Sequence, residues 1–324
     1  MVKGPVPSGV EGLRLVFFGT PRFAVPTLEA LLSSRHEVVG VVTQPDRPRG
    51  RGQRVTPSPV KALAASRELP VQQPSTLRDP VTATDLAAWR PDLGVVAAYG
   101  QIIPQAHLAV PRFGMINVHP SLLPKFRGAA PVHRAVIAGD TETGVTIMRV
   151  AARLDSGAMF ARTTRPIGPE ETSDAVEDDL AVIGAHLLVE VVDAIADGTA
   201  HEEPQDERLA THAARLTKDE GLIDWTLPAS RIHDRVRGLF PWPHAYTFVD
   251  GRRVIVWRSV PRPDTGAATP GTVLHAGGDG LHVATGDGAL TLLELQSEGG
   301  RPLPVAEFLR GHAIQPGARF TGPP

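Results

Sequence analysis

Leu13-Arg14-Leu15-Val16-Phe17-Phe18 runs into Gly19-Thr20-Pro21, and residues 24–33 then carry Leu28, Leu31 and Leu32, with Pro26 placed in a first turn. A short apolar run stopped by a turn and followed by helical spacing predicts strand, tight turn and helix. Glu37-Val38-Val39-Gly40-Val41-Val42-Thr43 is apolar without alternation. That pattern suits a strand covered on both faces of a parallel sheet, so the two runs form a βαβ unit. Further strands are expected at residues 93–98, 114–119, 144–150 and 158–163, and helices at 60–68, 82–89 and 130–138. The fold class is therefore α/β, a doubly wound, Rossmann-like sheet.

Residues 172–197 form the longest expected helix, through Val176, Leu180, Ile183, Leu187, Val191 and Ile195. Asp174, Glu177, Asp178 and Asp179 crowd its first turns, where negative charge suits the helix dipole, and Gly198 stops it. Residues 199–218 are polar and without period, which predicts a linker. Beyond it the pattern changes to short strands at 245–249, 253–258, 271–275, 281–285 and 289–295, with Asp250-Gly251 and Asp287-Gly288 as hairpin turns. Five such strands with a helix at 305–311 predict a small β-barrel of the oligonucleotide-binding (OB-like) type. The expected organisation is a disordered extension at 1–12, a catalytic domain at 13–198, the linker, and a C-terminal barrel at 219–324.

The chain has 324 residues, 42% hydrophobic and 21% charged, with 33 Lys+Arg against 35 Asp+Glu. Such a balance predicts a soluble globular protein in which any polyanion must be met by a local basic patch. Cysteine is absent, which removes disulfides, thiolate metal sites and cysteine nucleophiles together. No apolar stretch is long enough for a membrane span, and residues 1–12 lack the apolar core of a signal peptide. The missing cysteine leaves the compartment open and is compatible with a reducing cytosol; a cytoplasmic location is the expectation. The first turn reads Gly19-Thr20-Pro21-Arg22-Phe23-Ala24 rather than G-x-G-x-x-G, and no G-x-x-x-x-G-K-[ST] occurs, which disfavours a nucleotide cofactor. The histidines show no metal-ligand spacing, and no metal is expected.

The least ordinary segment is Ile116-Asn117-Val118-His119-Pro120-Ser121-Leu122-Leu123-Pro124-Lys125-Phe126-Arg127-Gly128. In a strand, Asn117 and His119 share one face while Ile116 and Val118 enter the core, and Pro120 ends the strand where ligands of open α/β sheets bind. On pattern alone they could equally be hydrogen-bonded loop residues. Asp155 lies on the turn Arg153-Leu154-Asp155-Ser156-Gly157 and alone would be an ordinary turn residue. As a trio, Asn117, His119 and Asp155 suit attack by a neutral amine on a carbonyl. Amide and imidazole N–H groups would stabilise the oxyanion, and the carboxylate would assist proton removal. None is a covalent nucleophile, so direct transfer through a tetrahedral intermediate is expected. A basic stretch, Arg47-Pro48-Arg49-Gly50-Arg51-Gly52-Gln53-Arg54, reads either as a solvated loop or as a grip on phosphates.

Taken in order, Phe18-Gly19-Thr20-Pro21, Thr43-Gln44-Pro45-Asp46-Arg47-Pro48, Ala97-Ala98-Tyr99-Gly100, Asn117-Val118-His119, Ser121-Leu122-Leu123-Pro124, Arg127-Gly128-Ala129-Ala130-Pro131, Leu154-Asp155-Ser156-Gly157, Ile223-Asp224-Trp225 and Pro241-Trp242-Pro243 resemble the folate-dependent formyltransferases. The resemblance runs from about residue 13 to residue 320. It implies 10-formyltetrahydrofolate as formyl donor and initiator methionyl-tRNA as acceptor, with Asn117, His119 and Asp155 as the catalytic trio. Folate contacts are implied at Tyr99, Gly100, Ile102, Ile103 and Pro104 and at Ser121, Leu122, Leu123 and Pro124. RNA contacts are implied at Arg47, Arg49, Arg51 and Arg54, and the working unit is expected to be a monomer. Within the same fold a sugar-directed N-formyltransferase or a formyltetrahydrofolate hydrolase is the competing possibility, and a noncatalytic RNA-binding module is one of another kind. Pro120 stands where a glycine is expected after the histidine, and Ala151-Ala152-Arg153 is an unusual approach to Leu154-Asp155.

Overall fold

The structure, a computed structural model, describes residues 12–49, 54–263 and 268–323. Most of the N-terminal extension and Arg51 therefore lie outside the described residues. In chain order the strands are β1 Arg14–Gly19, β2 Glu37–Val42, β3 Arg47–Arg49, β4 Arg54–Thr56, β5 Val71–Gln72, β6 Leu93–Ala97, β7 Met115–His119, β8 Arg127–Gly128, β9 Glu142–Arg149, β10 Met159–Pro166, β11 His212–Ala213, β12 Ala245–Val249, β13 Arg252–Arg262, β14 Val273–Gly277, β15 Gly280–Ala284, β16 Ala289–Ser297 and β17 Leu303–Pro304. The helices are α1 Val25–Leu32, α2 Pro59–Ser66, α3 Pro80–Ala88, α4 Gln105–Leu108, α5 Pro131–Ala138, α6 Ser173–Ala196, α7 Ala229–Gly238 and α8 Val305–Gly311. They divide into two compact units. Met1–Gly128, Thr143–Arg165 and Glu177–His212 make the first, and the remaining segments make the second.

A seven-stranded sheet in the order β10-β9-β7-β6-β1-β2-β5 organises the first unit. The pairs β1/β2, β1/β6, β2/β5 and β6/β7 are parallel, whereas β9 joins β7 antiparallel with His119 opposite Thr146. The sheet is thus parallel-dominated. Because β1 has β2 on one side and β6 on the other, the winding reverses there, and ligands of such sheets bind at the carboxyl ends beside that reversal. Both faces are covered. Val16, Phe18, Val96 and Met115 pack with Leu86 of α3 and Leu108 of α4, while Gly184 of α6 lies against Val118 and Val145 on the other face. Local signals set the helix starts: the Ser58 hydroxyl accepts from the Lys61 amide, the Asp79 carboxylate accepts from the Val81 amide, and each helix carries proline in its first turn.

Within the stretch where a loop was the expectation, residues 47–49 and 54–56 pair antiparallel as β3 and β4, with Arg47 opposite Thr56 and Arg49 opposite Arg54. The base of this pair is tied down. Lys61 Nζ bonds Asp46 Oδ2 at 2.5 Å, and Gln73 Nε2 donates to Asp46 Oδ1 at 2.8 Å.

The second unit holds an antiparallel sheet in the order β12-β13-β16-β15-β14, with β17 beside β16. Its two edges are bridged by the C-terminal stretch. Phe248 of β12 and Thr321 exchange both backbone hydrogen bonds at 3.1 and 2.8 Å, while Phe320 donates to Gly271 and Val273 to Ala318 at 2.8 Å. The ring of strands closes through that stretch, which gives the expected barrel. Inside lie Val254, Val256, Leu281, Val283, Leu290 and Leu292, capped by Phe308 of α8 and by Ile232 and Val236 of α7. The five-strand reading did not include α7, although Ile232, Val236 and Leu239 recur at helical spacing.

Gly184 sits where α6 packs behind β7. A Cβ there would lie 2.8 Å from Val118 Cγ1 and 3.1 Å from Val145 Cγ1. Gly184→Leu should therefore destabilise the chain by about 1–3 kcal/mol through overpacking. The check is a lower urea midpoint with an unchanged slope.

Candidate active site

Alternation along β7 places Met115, Asn117 and His119 on one face of the sheet, and Ile116 and Val118 on the other. Register aligns Phe18, Val96, Asn117 and Met148 in one row across four strands. Asn117 is half-buried, and its amide makes no side-chain hydrogen bond among the described residues. Val96 and Met148 beside it offer no partner. His119 is 3% exposed, and its Nε2 lies 3.1 Å from the Phe126 carbonyl oxygen. A carbonyl only accepts, so Nε2 carries the proton, and in the neutral ring Nδ1 is left with a lone pair.

Nδ1 faces Asp155 Oδ2 at 3.7 Å, too far for a direct hydrogen bond. The same Asp155 oxygen accepts from the Gly128 amide at 2.9 Å. Asp155 is a left-handed residue, φ 47°, in a turn spanned by one side chain: Gln205 Nε2 donates to the Asp155 carbonyl at 2.9 Å and to the Gly157 carbonyl at 2.8 Å. Gln205 Oε1 in turn accepts from Arg127 Nε at 3.0 Å and Nη2 at 2.7 Å, and Arg127 also pairs with Glu207 at 2.8 Å. So Phe126, Arg127 and Gly128 hold, in succession, the imidazole, the glutamine and the carboxylate. Gln205 comes from a stretch whose only sequence signal was polarity without period.

Burial lowers the pKa of His119, and the Asp155 charge together with the bond to Phe126 opposes this without reversing it. A carboxylate neighbour by itself would favour imidazolium, but removal from water is the larger effect. The trio thus offers one free amide donor and two proton acceptors across a short gap.

At the carboxyl end of β6, Ala98 and Gly100 turn the chain with φ 47° and 87°. The Tyr99 carbonyl accepts from Thr20 Oγ1 at 3.0 Å and Gln44 Nε2 at 3.2 Å, which ties together the chain beyond β1, β2 and β6. The Tyr99 ring is buried, 5.3 Å from Phe18 and nearly perpendicular to it, and desolvation pushes the phenol pKa up to about 12. It is part of the core. Ile103 packs against that core, whereas Ile102 is 86% exposed. The backbone amides of Gly100, Gln101, Ile102 and Ile103 donate to no described residue. In the Ser121–Pro124 loop, the Ser121 hydroxyl donates to the Lys125 carbonyl, Thr146 Oγ1 donates to the Ser121 carbonyl, and the Leu123 amide donates to Thr146 Oγ1. Arg47 is exposed on β3.

A parallel-dominated sheet with this polar trio at a strand end, followed by a small barrel, defines a class of group-transfer proteins, and the chain belongs to the formyl transferase family. The family's N-terminal domain matches residues 13–192 and its C-terminal domain matches residues 215–313. Among curated proteins, methionyl-tRNA formyltransferase of Geobacter sulfurreducens is 46% identical over 311 residues, 96% of this chain and 98% of that protein. The protein of the same name from Pseudomonas entomophila is 50% identical over 296 residues, 91% of this chain and 95% of that protein. Solved structures share the fold. An N-formyltransferase from Helicobacter canadensis, in complex with folinic acid and dTDP-3-aminofucose, matches 86% of this chain and 98% of its own at TM-score 0.64 and 15% identity. HypX from Aquifex aeolicus in complex with tetrahydrofolic acid matches at TM-score 0.60 and 18% identity, covering 92% of this chain, which spans about half (47%) of the HypX chain.

The depressed His119 value has a consequence for stability. Its pKa is lower in the folded chain than the ordinary value of about 6.5, so the unfolded chain takes up the proton first as pH falls. The contribution is whole above about pH 6.5 and is lost as pH drops toward the folded value. In His119→Gln the fall in urea midpoint between neutral and mildly acid pH should be shallower than in the unaltered chain. Ring-nitrogen NMR should place the His119 midpoint below that of a free imidazole.

Proposed function

We propose that the chain transfers the formyl group of 10-formyltetrahydrofolate to the amine of methionine esterified to initiator tRNA. The observation that carries this is the match, at 46–50% identity over more than nine-tenths of both chains, to proteins named for that activity. The geometry supports it. The chain has no cysteine and the trio has no serine, threonine or lysine, so direct attack of the amine on the formyl carbon is the reading that we adopt.

The folate supplies an activated formyl group. The open amides of residues 100–103 with exposed Ile102 suit a flat heterocycle edged with acceptors, and we assign it to Tyr99–Pro104 through backbone groups and to the Ser121–Pro124 loop. As the new C–N bond forms, Asn117 donates its amide N–H to the oxygen on which charge develops. The expected imidazole donor to the oxyanion is not available, because the Nε2 proton is given to the Phe126 carbonyl; His119 Nδ1, beside Asp155, instead takes the proton that the attacking amine must lose, in place of the carboxylate. The same proton then goes to the nitrogen of the donor as its bond to the formyl carbon breaks, so that charge and protons balance over the turnover. Asp155 keeps the imidazolium that forms in between from standing uncompensated in a buried site.

Arg47, Arg49, Arg51 and Arg54 would grip the RNA backbone, and the C-terminal barrel (219–324) would add RNA surface to the catalytic part (13–198). The same reading places the chain in the cytoplasm as a monomer; no helix among the described residues is long and apolar enough to cross a membrane.

The test is formyl transfer from labelled 10-formyltetrahydrofolate to initiator methionyl-tRNA, with elongator methionyl-tRNA and amino-sugar nucleotide as controls. Transfer to the sugar alone would overturn the assignment. Asn117→Asp, which replaces a donor by an acceptor, should lower kcat by about 10²–10³ in folded protein. Asp155→Asn should cost at least about 10². Arg47→Ala and Arg51→Ala should raise KM for methionyl-tRNA and flatten its log–log salt dependence by roughly 0.7–0.9 per lost phosphate contact. Parallel salt slopes would move RNA recognition to the barrel.

A further inference from the structure

Gln205 makes more contact with the Asp155 turn than any other side chain described above, yet it stands some fifty residues away in the sequence, in a stretch that carries no regular period. Its two amide hydrogens are both used, on the carbonyls of Asp155 and Gly157 at 2.9 and 2.8 Å. Its oxygen is used as well, by two nitrogens of Arg127. The bonds close a ring. From the Asp155 carbonyl it runs to Gln205, on to the Arg127 guanidinium, along the backbone to the Gly128 amide, and back to Asp155 Oδ2. Both the backbone and the carboxylate of Asp155 are thereby fixed to one segment, and the residue just before that segment, Phe126, holds His119.

From this arrangement we infer that Gln205 is a positioning residue for the formyl transfer: it sets where the Asp155 carboxylate stands relative to His119 Nδ1. Asp155 needs such a hold because a left-handed non-glycine residue is intrinsically unfavourable. Its turn is otherwise tied locally by Ser156 to Arg153, through the carboxylate to the Gly128 amide, and through Arg153 to Glu207 at 3.1 Å, none of which holds the Asp155 carbonyl. Arg127, 6% exposed and paired with Glu207, keeps the glutamine from turning over, since a guanidinium only donates and must face the amide oxygen. Gln205 touches no reacting atom in this scheme. Its effect passes through Asp155.

The inference rests on Asp155 being catalytic, and a double-mutant cycle separates the two claims. Gln205→Ala should lower kcat by about 10²-fold, the size of effect that a displacement near 1 Å produces, with little change in KM for either substrate. In an Asp155→Asn background the same substitution should change kcat by less than about twofold. Loss of the nearby carboxylate charge should also let the His119 midpoint fall further below the ordinary imidazole value, which a merely structural role would leave in place. Gln205→Asn keeps every hydrogen-bonding group one methylene short, and it should show the same pattern to a smaller extent if the alanine variant does not fold. Full turnover in a folded Gln205 variant, or equal losses in both backgrounds, overturns the positioning role. Full turnover in Asp155→Asn alone overturns the catalytic assignment instead.

Discussion

The Phe126 carbonyl accepts from His119 Nε2 at 3.1 Å, and two residues on the Gly128 amide donates to Asp155 Oδ2 at 2.9 Å. Backbone groups that close together in sequence reach both His119 and Asp155 because Phe126 adopts φ 59° and Gly128 φ 129°. For a residue with a Cβ the left-handed region costs about 1–2 kcal/mol. Two bonds to a neighbouring segment offset that cost. The Phe126 amide donates to Thr211 Oγ1 at 2.8 Å and the Arg127 amide to the Thr211 carbonyl at 2.9 Å, each worth about 1 kcal/mol net. Ala98 and Asp155 are left-handed as well, so three loops around the site carry local strain that the surrounding hydrogen bonds hold in place.

Arg127 adds the charge that makes this hold directional. Removing a guanidinium from water is costly, and the cost is met here by Glu207 and by both lone pairs of the Gln205 oxygen rather than by a single ion pair. A neutral acceptor suits the position next to Asp155. A carboxylate there would stand against the Asp155 and Gly157 carbonyls with no hydrogen to offer, and would add negative charge beside His119. The glutamine transmits the fixed position of the arginine without altering the charge on the His119–Asp155 pair.

Where side-chain period carries the structure, the sequence was legible. The apolar run at 13–18 became Arg14–Gly19, the run at 93–98 became Leu93–Ala97, and the strand at 245–249 matched to the residue. Asn117 and His119 were placed on one face by alternation alone. Longer pairing escaped notice where the ladder continues past the apolar residues: β13 reaches Arg262 through irregularities at Val256 and Arg258 while staying paired with β16. The pairing of β3 with β4 was hidden because Arg47-Pro48-Arg49 carries a proline and no apolar alternation. Phe126 and Gly128 act through peptide groups that every residue possesses, and so leave no mark on composition or spacing. Gln205 was equally silent, because one polar residue in a polar stretch has nothing to distinguish it until its partners are known.

Asn117 presents the opposite situation to His119 and Asp155. The latter two are tied to described neighbours, whereas the Asn117 amide has none, since the residues in register beside it are Val96 and Met148. A donor meant for a charge that exists only during reaction must not already be committed to a competing acceptor, and it must not need reorientation when the charge appears. Apolar flanks satisfy the first condition. The sheet reduces the second to the side chain's own torsions, for β7 is paired on both sides, with β6 and with β9, and α6 packs Gly184 against Val118 directly behind it. Only the short asparagine side chain remains free to rotate, so the backbone that carries the donor is as rigid as the core of the sheet. In the proposed reaction, the packing of α6 behind β7 and the hydrogen-bonded ring around Asp155 therefore serve one end from opposite sides: the first holds the strand that carries Asn117, the second holds the carboxylate beside His119.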